Sequence, residues 1–181
     1  MADFQKAEPL ILEDEGVYSK TPGDDGGETC FGIDMASNPT WAGWPYVHHL
    51  LAGQVPFPQW HLDETLMGFV NAFYRALWNS LLEDHEKDQP LATAIFGGVT
   101  NQGPVRIIKW LQTCVCAMGH DVTVDGKLGQ ATVDACNACD PVKLLHYLKA
   151  MRLAGYIGTA AAIPHDRQFL GGWDNRLESG A

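Results

Sequence analysis

The chain has 181 residues, 46% hydrophobic and 19% charged, and 12 Lys and Arg against 22 Asp and Glu leave a formal charge of −10. That balance excludes a disordered chain, supports one globular domain or one with a small annex, and argues against nucleic acid, which meets a repulsive field with no basic patch to offset it. Apolar stretches break well short of the roughly 18 residues needed to span a bilayer, so no stable membrane insertion is expected.

The N-terminal Met1-Ala2-Asp3-Phe4-Gln5-Lys6 lacks the basic-then-apolar layout of a signal peptide, which points to synthesis in the cytoplasm. Leu10, Ile11 and Leu12 predict a short first helix with Pro9 in its first turn, ending near Glu15-Gly16. Residues 19 to 32 hold Pro22 and several glycines, which predicts a turn-rich loop or a small hairpin. A second helix is expected to open at Asn38-Pro39, limited by Pro45. The clearest helix runs from about Asp63 to Glu83, with Leu66, Val70, Phe73, Leu77 and Leu81 on one face and the charged run from Glu83 to Asp88 as its exit. Pro90 and Pro104 start two further helices, reaching Val99 and Val115. Asp125-Gly126 marks a turn, Ala131 to Cys139 and Pro141 to about Tyr156 read as helices, and a short closing segment carries Phe169, Leu170, Trp173 and Leu177.

Chemistry concentrates after the first helix. Glu15 stands where that helix runs into the glycine-rich loop, and Asp24 and Asp25 follow Pro22-Gly23. Nine positions on an unbroken helix would put Glu15 and Asp24 on opposite faces, but the intervening breakers let the chain fold back and turn both carboxylates toward one cleft. A carboxyl pair of this kind suits glycosidic hydrolysis, one protonated as general acid, the other ionised to steer a water or stabilise positive charge on the sugar. The same spacing is equally that of ordinary turn acids on a solvated loop.

Glu15-Gly16-Val17-Tyr18, Asp24-Asp25-Gly26-Gly27-Glu28-Thr29 and Phe31-Gly32-Ile33 together resemble the signature of glycoside hydrolase family 108. Its members are N-acetylmuramidases, found as phage endolysins and prophage-related secretion-activator proteins. Downstream, Ala94-Ile95-Phe96, Val99, Asn101, Gly103, Lys109-Trp110-Leu111-Gln112, Val124-Asp125-Gly126 and residues to Arg176 are similar to the peptidoglycan-binding domain that follows in that family. The resemblance covers nearly the whole chain except residues 38 to 62. It implies Glu15 as the general acid, Asp24 as the loop aspartate, at a spacing that also resembles the acid pair of phage-type lysozymes, and Thr29 beside the attacking water. Tyr18, Asp25, Gly27, Phe31 and Asn101, in the matching stretches, become the candidate substrate-binding residues. Phage-type relatives suggest inversion by direct water attack. Val17, Cys30 and Gly97 depart from the family pattern, and none of them carries the implied chemistry. A protonated Glu15 needs partial desolvation or a neighbouring negative charge; Tyr18 and Phe31 are candidate apolar walls and Asp24 the like charge.

Other constellations read more simply. Cys114-x-Cys116 and Cys136-x-x-Cys139 invite zinc, but within helices they do not present four sulfurs inward, and buried thiols or an inter-helix disulfide fit better. No His-Glu-x-x-His helix supports a metallopeptidase, and Cys30 has no recognisable partner pattern for a cysteine amidase. Trp78 and Trp110 belong to periodic helices and read as core, whereas residues 38 to 62, with Trp41, Trp44, Trp60 and His48-His49, suggest a cleft wall or lid. Lys143, Lys149, Arg152 and Arg167 are the candidates for a basic patch near the C-terminus.

The expected fold is mainly α, a compact lysozyme-like helical domain with a small loop or β-hairpin after the first helix. Residues 1 to 88 form the catalytic part and 89 to 181 a peptidoglycan-binding-like part packed on it. The expected activity is that of an endolysin-type muramidase cleaving the β-1,4 bond between N-acetylmuramic acid and N-acetylglucosamine, as a monomer, without metal or cofactor. Its partner is bacterial peptidoglycan, reached in the periplasm by holin-dependent release. A lytic transglycosylase acting on the same bond, and a non-catalytic wall-binding module or injected effector, are the alternatives.

Overall fold

Helix α1 (Phe4–Asp14) begins five residues before Pro9, so the proline lies inside the helix instead of in its first turn. An interior proline removes one intrahelical hydrogen bond. Here Phe4, Ala7 and Ile11, at helical spacing, are all buried and hold the helix through it. The protein, a computed structural model, is described over residues 1–14, 16–20, 27–82 and 86–179. By contact it divides into two compact units, Ile11–Trp78 and Met1–Leu10 with Asn79–Ala181. The architecture is mainly α with one small sheet after the first helix, as expected of a lysozyme-like fold.

In the first unit, β1 (Tyr18–Lys20), β2 (Glu28–Cys30) and β3 (Ile33–Asp34) form an antiparallel sheet in sequence order. Helix α2 (Trp44–Ala52) starts later than expected, with Pro45 in its first turn opening the helix it was expected to limit. Asn38 instead belongs to a turn: its backbone carbonyl accepts from the Trp41 amide and from Trp44 Nε1. Phe57–Leu62 forms a 3-10 turn that the sequence did not signal. Helix α3 (Glu64–Leu82) starts as expected, because the Asp63 carboxylate accepts from the amides of Thr65 and Leu66. Its buried stripe is Leu66, Val70, Tyr74 and Trp78, every fourth residue, with Phe73 and Leu77 only half-buried at its flank.

The second unit is built on α4 (Gln89–Gln102), whose residues from Leu91 to Val99 are buried all round. Asp88 caps it through the Leu91 amide. Against α4 pack α5 (Pro104–Ala117) and α7 (Pro141–Ala162), the latter capped by Asp140 and running six residues past its expected end. Arg152 of α7 is fully buried: its Nε donates to Gln102 Oε1 at 3.2 Å and its Nη1 to the Ala94 carbonyl at 3.1 Å. It therefore supplies no charge to a surface patch, contrary to the sequence expectation, because the polar groups of α4 recruit it inward. A Cβ on Gly155 would lie 2.3 Å from the Trp110 ring, so glycine there lets α7 approach α5. Between α5 and α6 (Gln130–Ala138), buried Gln112 accepts from the Gly126 amide and donates to Asp125 and the Lys127 carbonyl, fixing the Asp125-Gly126 turn. Helix α8 (Leu170–Ser179) closes the chain. No described helix is long and apolar enough to cross a membrane.

Candidate active site

Thr29 sits at the centre of β2, flanked by Ser19 on β1 and Asp34 on β3, its Cα partners in the two ladders. Strand side chains alternate, so Ser19, Thr29 and Asp34 share one face of the sheet while Tyr18, Cys30, Ile33, Lys20 and Glu28 share the other. Burial separates the two faces: Cys30 and Ile33 are fully buried, whereas Thr29 and Asp34 are half-buried and Ser19 is exposed. The Cys30 and Ile33 end of the second face packs into the core while Lys20 and Glu28 carry charge at its other end, and Thr29 stands on the opposite face.

The hairpin is held at both ends. At the loop end, Lys20 and Glu28 are the last cross-strand pair before residues 21–27, and Lys20 Nζ reaches Glu28 Oε1 at 2.6 Å. Glu28 Oε2 lies 2.7 Å from His48 Nε2, which ties the strand to α2. The Lys20 ammonium, more than the His48 contact, holds the Glu28 carboxyl below its usual range, although partial burial opposes this. At the other end, Phe31 (φ 47°) and Gly32 (φ 76°) form a two-residue turn with both residues left-handed. Gly32 takes that conformation freely, whereas for Phe31 it costs about 1 kcal/mol or more. Its ring is fully buried, edge-on to His61 at 4.9 Å between centroids, and its carbonyl accepts from the Tyr74 hydroxyl at 2.7 Å.

Of the expected catalytic residues, Glu15 and Asp24 lie outside the described residues, as does Asp25; Thr29 is described. Gly27 enters β2 exposed at φ 71°, a conformation suited to glycine. Tyr18 is on the face opposite Thr29, its ring 5.5 Å from Phe57 and 5.8 Å from Trp60. Phe31 is a core group of the same unit. Asn101 belongs to α4 in the other unit, where its Oδ1 accepts from Arg176 Nη1. The structure therefore brings Gly27 and Thr29 together on β2 and its entry, and does not bring Tyr18 or Phe31 to Thr29's face.

Other expectations change with burial. Trp44 and Trp60 are core side chains, and the Trp60 indole donates to the Val55 carbonyl, so neither ring is presented as part of a cleft wall or lid, while most of residues 38 to 62 around them are exposed. The five cysteines are free thiols; burial pushes Cys30 up to about 12 and Cys114 up to about 11, and raises Cys136 further. A buried, protonated Cys30 is a poor nucleophile, which removes the physical basis for an amidase. Among the described residues, no group of three or more His, Cys, Asp or Glu is placed to hold a metal ion.

Sequence reasoning missed Glu28, Asp34 and Tyr74. The signal for the first two was present: once Phe31-Gly32 is taken as a two-residue turn, Thr29 must face Asp34, and its neighbour Glu28 must face the other way. Tyr74 carried no such signal, since only the tertiary fold brings its hydroxyl to residue 31.

A mainly helical protein with a small three-stranded antiparallel sheet after its first helix has the build of the lysozyme class. Residues 9–103 match the family model described as Glycosyl hydrolase 108, and residues 106–178 match the one described as Predicted Peptidoglycan domain. The first match spans more than half of the chain, and the protein belongs to glycosyl hydrolase family 108. It is a glycoside hydrolase of the N-acetylmuramidase, lysozyme-like type, directed at peptidoglycan. Among solved structures, one described as the structure of Brucella abortus SagA is similar at 26% identity and TM-score 0.68, over 98% of this chain and 90% of that one. No curated protein sequence matches the chain.

Proposed function

We propose that the protein hydrolyses the β-1,4 bond between N-acetylmuramic acid and N-acetylglucosamine, with Glu15 as general acid and Asp24 and Thr29 organising the attacking water. The observation that carries this reading is the family match over residues 9–103, which contains all three residues; Thr29, half-buried on the sheet face it shares with Ser19 and Asp34, accords with it. The glycosidic oxygen receives the Glu15 proton as it leaves, and the loop carboxylate of Asp24 favours the positive charge that develops on the sugar. Direct attack by the water on the far side of the ring inverts the anomeric centre. Asp25 and Gly27, on the same loop and its exit, lie against the sugar chain; Tyr18 and Phe31 serve as apolar backing behind the sheet. Asn101 contributes to the wall-binding part through its contact with Arg176. The N-terminal part performs the cleavage and the C-terminal part holds the wall, in a monomer that reaches the periplasm as an endolysin does, after holin-dependent release.

Digestion of purified peptidoglycan by wild type and Glu15→Gln, with the fragments read by mass spectrometry, tests this. Wild type is expected to leave reducing muramic ends, and Glu15→Gln to lose about 10²–10⁴-fold in rate, the usual contribution of a positioned acid. Anhydro-muramic ends mean a transglycosylase instead, and an intact wall that still retains the protein means a binding module. Equal rates in the two proteins overturn the acid assignment.

A further inference from the structure

Helices α5 and α7 span 14 and 22 residues and carry none of the chain's 22 acidic side chains. In a protein of net charge −10, the seam between them is where an anion meets the least repulsion. The two helices run antiparallel: Trp110 rests on Gly155, while Thr113, Cys114 and Ala117 stand with Tyr147, Ala150 and Met151. Those last six residues line an open cavity of about 320 Å³. The polar groups their side chains offer are two hydroxyls and a thiol, and the Thr113 hydroxyl already donates to the Lys109 carbonyl at 2.8 Å. Cations flank the cavity at both ends. On α5, exposed Lys109 and Arg106 lie one and two turns before Thr113 on the same face. On α7, exposed Lys143 lies one turn before Tyr147, about 6 Å along the axis. Among the described residues neither Arg106 nor Lys109 makes an ion pair, and Lys143 meets Asp140 only at 4.0 Å.

An acidic ligand with small apolar groups suits this surface better than a neutral sugar does. A sugar ring carries hydroxyls on most of its carbons and would bury them against walls of carbon with few partners. Peptidoglycan holds both chemistries, in glycan strands rich in hydroxyls and in short peptide stems made of alanine and of residues with free carboxylates. We propose that the α5–α7 seam binds the acidic peptide stems of the wall. An alanine methyl enters the cavity against Tyr147, and the peptide carboxylates pair with Lys109 and Arg106 at one end and with Lys143 at the other. The inference rests on the reading that the C-terminal part holds the wall, and it names the part of the polymer that is held.

Calorimetric titration of the full chain with a soluble stem peptide of alanine, glutamate and a diamino acid tests this. Wild type is expected to bind the peptide, and less tightly as salt rises. Arg106→Gln combined with Lys109→Gln keeps most of each side chain and removes both charges; it should weaken the peptide about tenfold or more, as the loss of a charge-assisted hydrogen bond does. Ala150→Trp, at an exposed position, fills the cavity and should weaken it comparably. Melting curves check that both variants fold, and the glutamine pair decides the matter if the tryptophan does not. No peptide binding by wild type, or wild-type affinity in either folded variant, overturns the proposal. So does binding of peptide-free glycan strands that matches the intact wall and is lost in the variants, which makes the seam a sugar site. A fall from dimer to monomer mass in Ala150→Trp overturns it too, as a contact between copies of the chain. Sedimentation with the intact wall separates the parent reading: wild type that binds the wall but not the peptide refutes only the stem assignment, whereas binding to neither refutes wall-holding as well. The peptide has no glycosidic bond, so none of these outcomes depends on cleavage, which Glu15→Gln reports by itself.

Discussion

Buried Arg152 and the buried turn at Phe31 solve opposite problems. In the unit containing α4, the helix is buried on every side from Leu91 to Val99, and the Ala94 carbonyl and Gln102 are satisfied by a charged side chain drawn in from α7. In the unit containing the sheet, strands of two or three residues are too short to be stable alone. They are pinned from outside by Tyr74 at the turn and by His48 at the loop end, where the cross-strand Lys20–Glu28 pair adds to the hold. The first arrangement commits its polar groups to packing. The second leaves Ser19 exposed and Thr29 and Asp34 only half-buried on one face of the sheet, which suits a scaffold that has to meet a substrate.

The sharpest way to break this comparison is Arg152→Ala. It empties a large buried volume and strands the acceptors on Ala94 and Gln102, so urea unfolding should report a loss of about 3–5 kcal/mol. A loss below about 1 kcal/mol would mean that Arg152 is not integral to the α4 core.

Tyr74→Phe is the counterpart in the sheet unit. Removing the hydroxyl leaves the buried Phe31 carbonyl without that donor, for a cost of about 1–3 kcal/mol. Because the strained turn sets the register of Thr29, wall digestion by Tyr74→Phe should slow even where the variant remains folded. Unchanged digestion would show that the register does not depend on this contact.

The smallest effects come from two carboxyls of opposite sign. Glu28 is held below its usual value by Lys20 and His48, so it contributes stability above the unfolded carboxyl range that is lost as pH falls through its folded value. Burial raises Glu86, so the stability linked to it is present in acid and lost as pH rises through its folded value. At neutral pH, Glu28→Gln should therefore lower the melting point by the equivalent of about 1 kcal/mol or less. Glu86→Gln, whose Oε1 still accepts from the amides of Lys87 and Asp88, should hold or raise it. Melting curves of both variants from pH 3 to 8 check the signs, and parallel behaviour of the two would break the distinction.

Much of the fold was legible because its signals are local. Asp63, Asp88 and Asp140 cap the helices they precede, Pro90, Pro104 and Pro141 stand in first turns, and the glycines around residue 27 rule out a helix there. The departures are also local in form but tertiary in cause. Pro9 reads as a start signal, yet Phe4, Ala7 and Ile11 find burial that carries the helix through it. Trp44 and Trp60 sit in an irregular stretch that composition does not distinguish from a lid, and only packing makes them core.

The candidate site divides in the same way. The chain itself determined that a glutamate, a glycine-flanked aspartate and a threonine follow one another across a helix end and a hairpin, since these are matters of spacing and breaker residues. That Thr29 shares a face with Asp34 and turns away from Glu28 follows from the two-residue turn, but which of the two faces meets the core was decided by the tertiary structure. Strand side chains alternate, so one residue of register exchanges the two faces. That register is set by a left-handed Phe31, and the conformation is held by the burial of its ring and by a tyrosine hydroxyl 43 residues away in sequence.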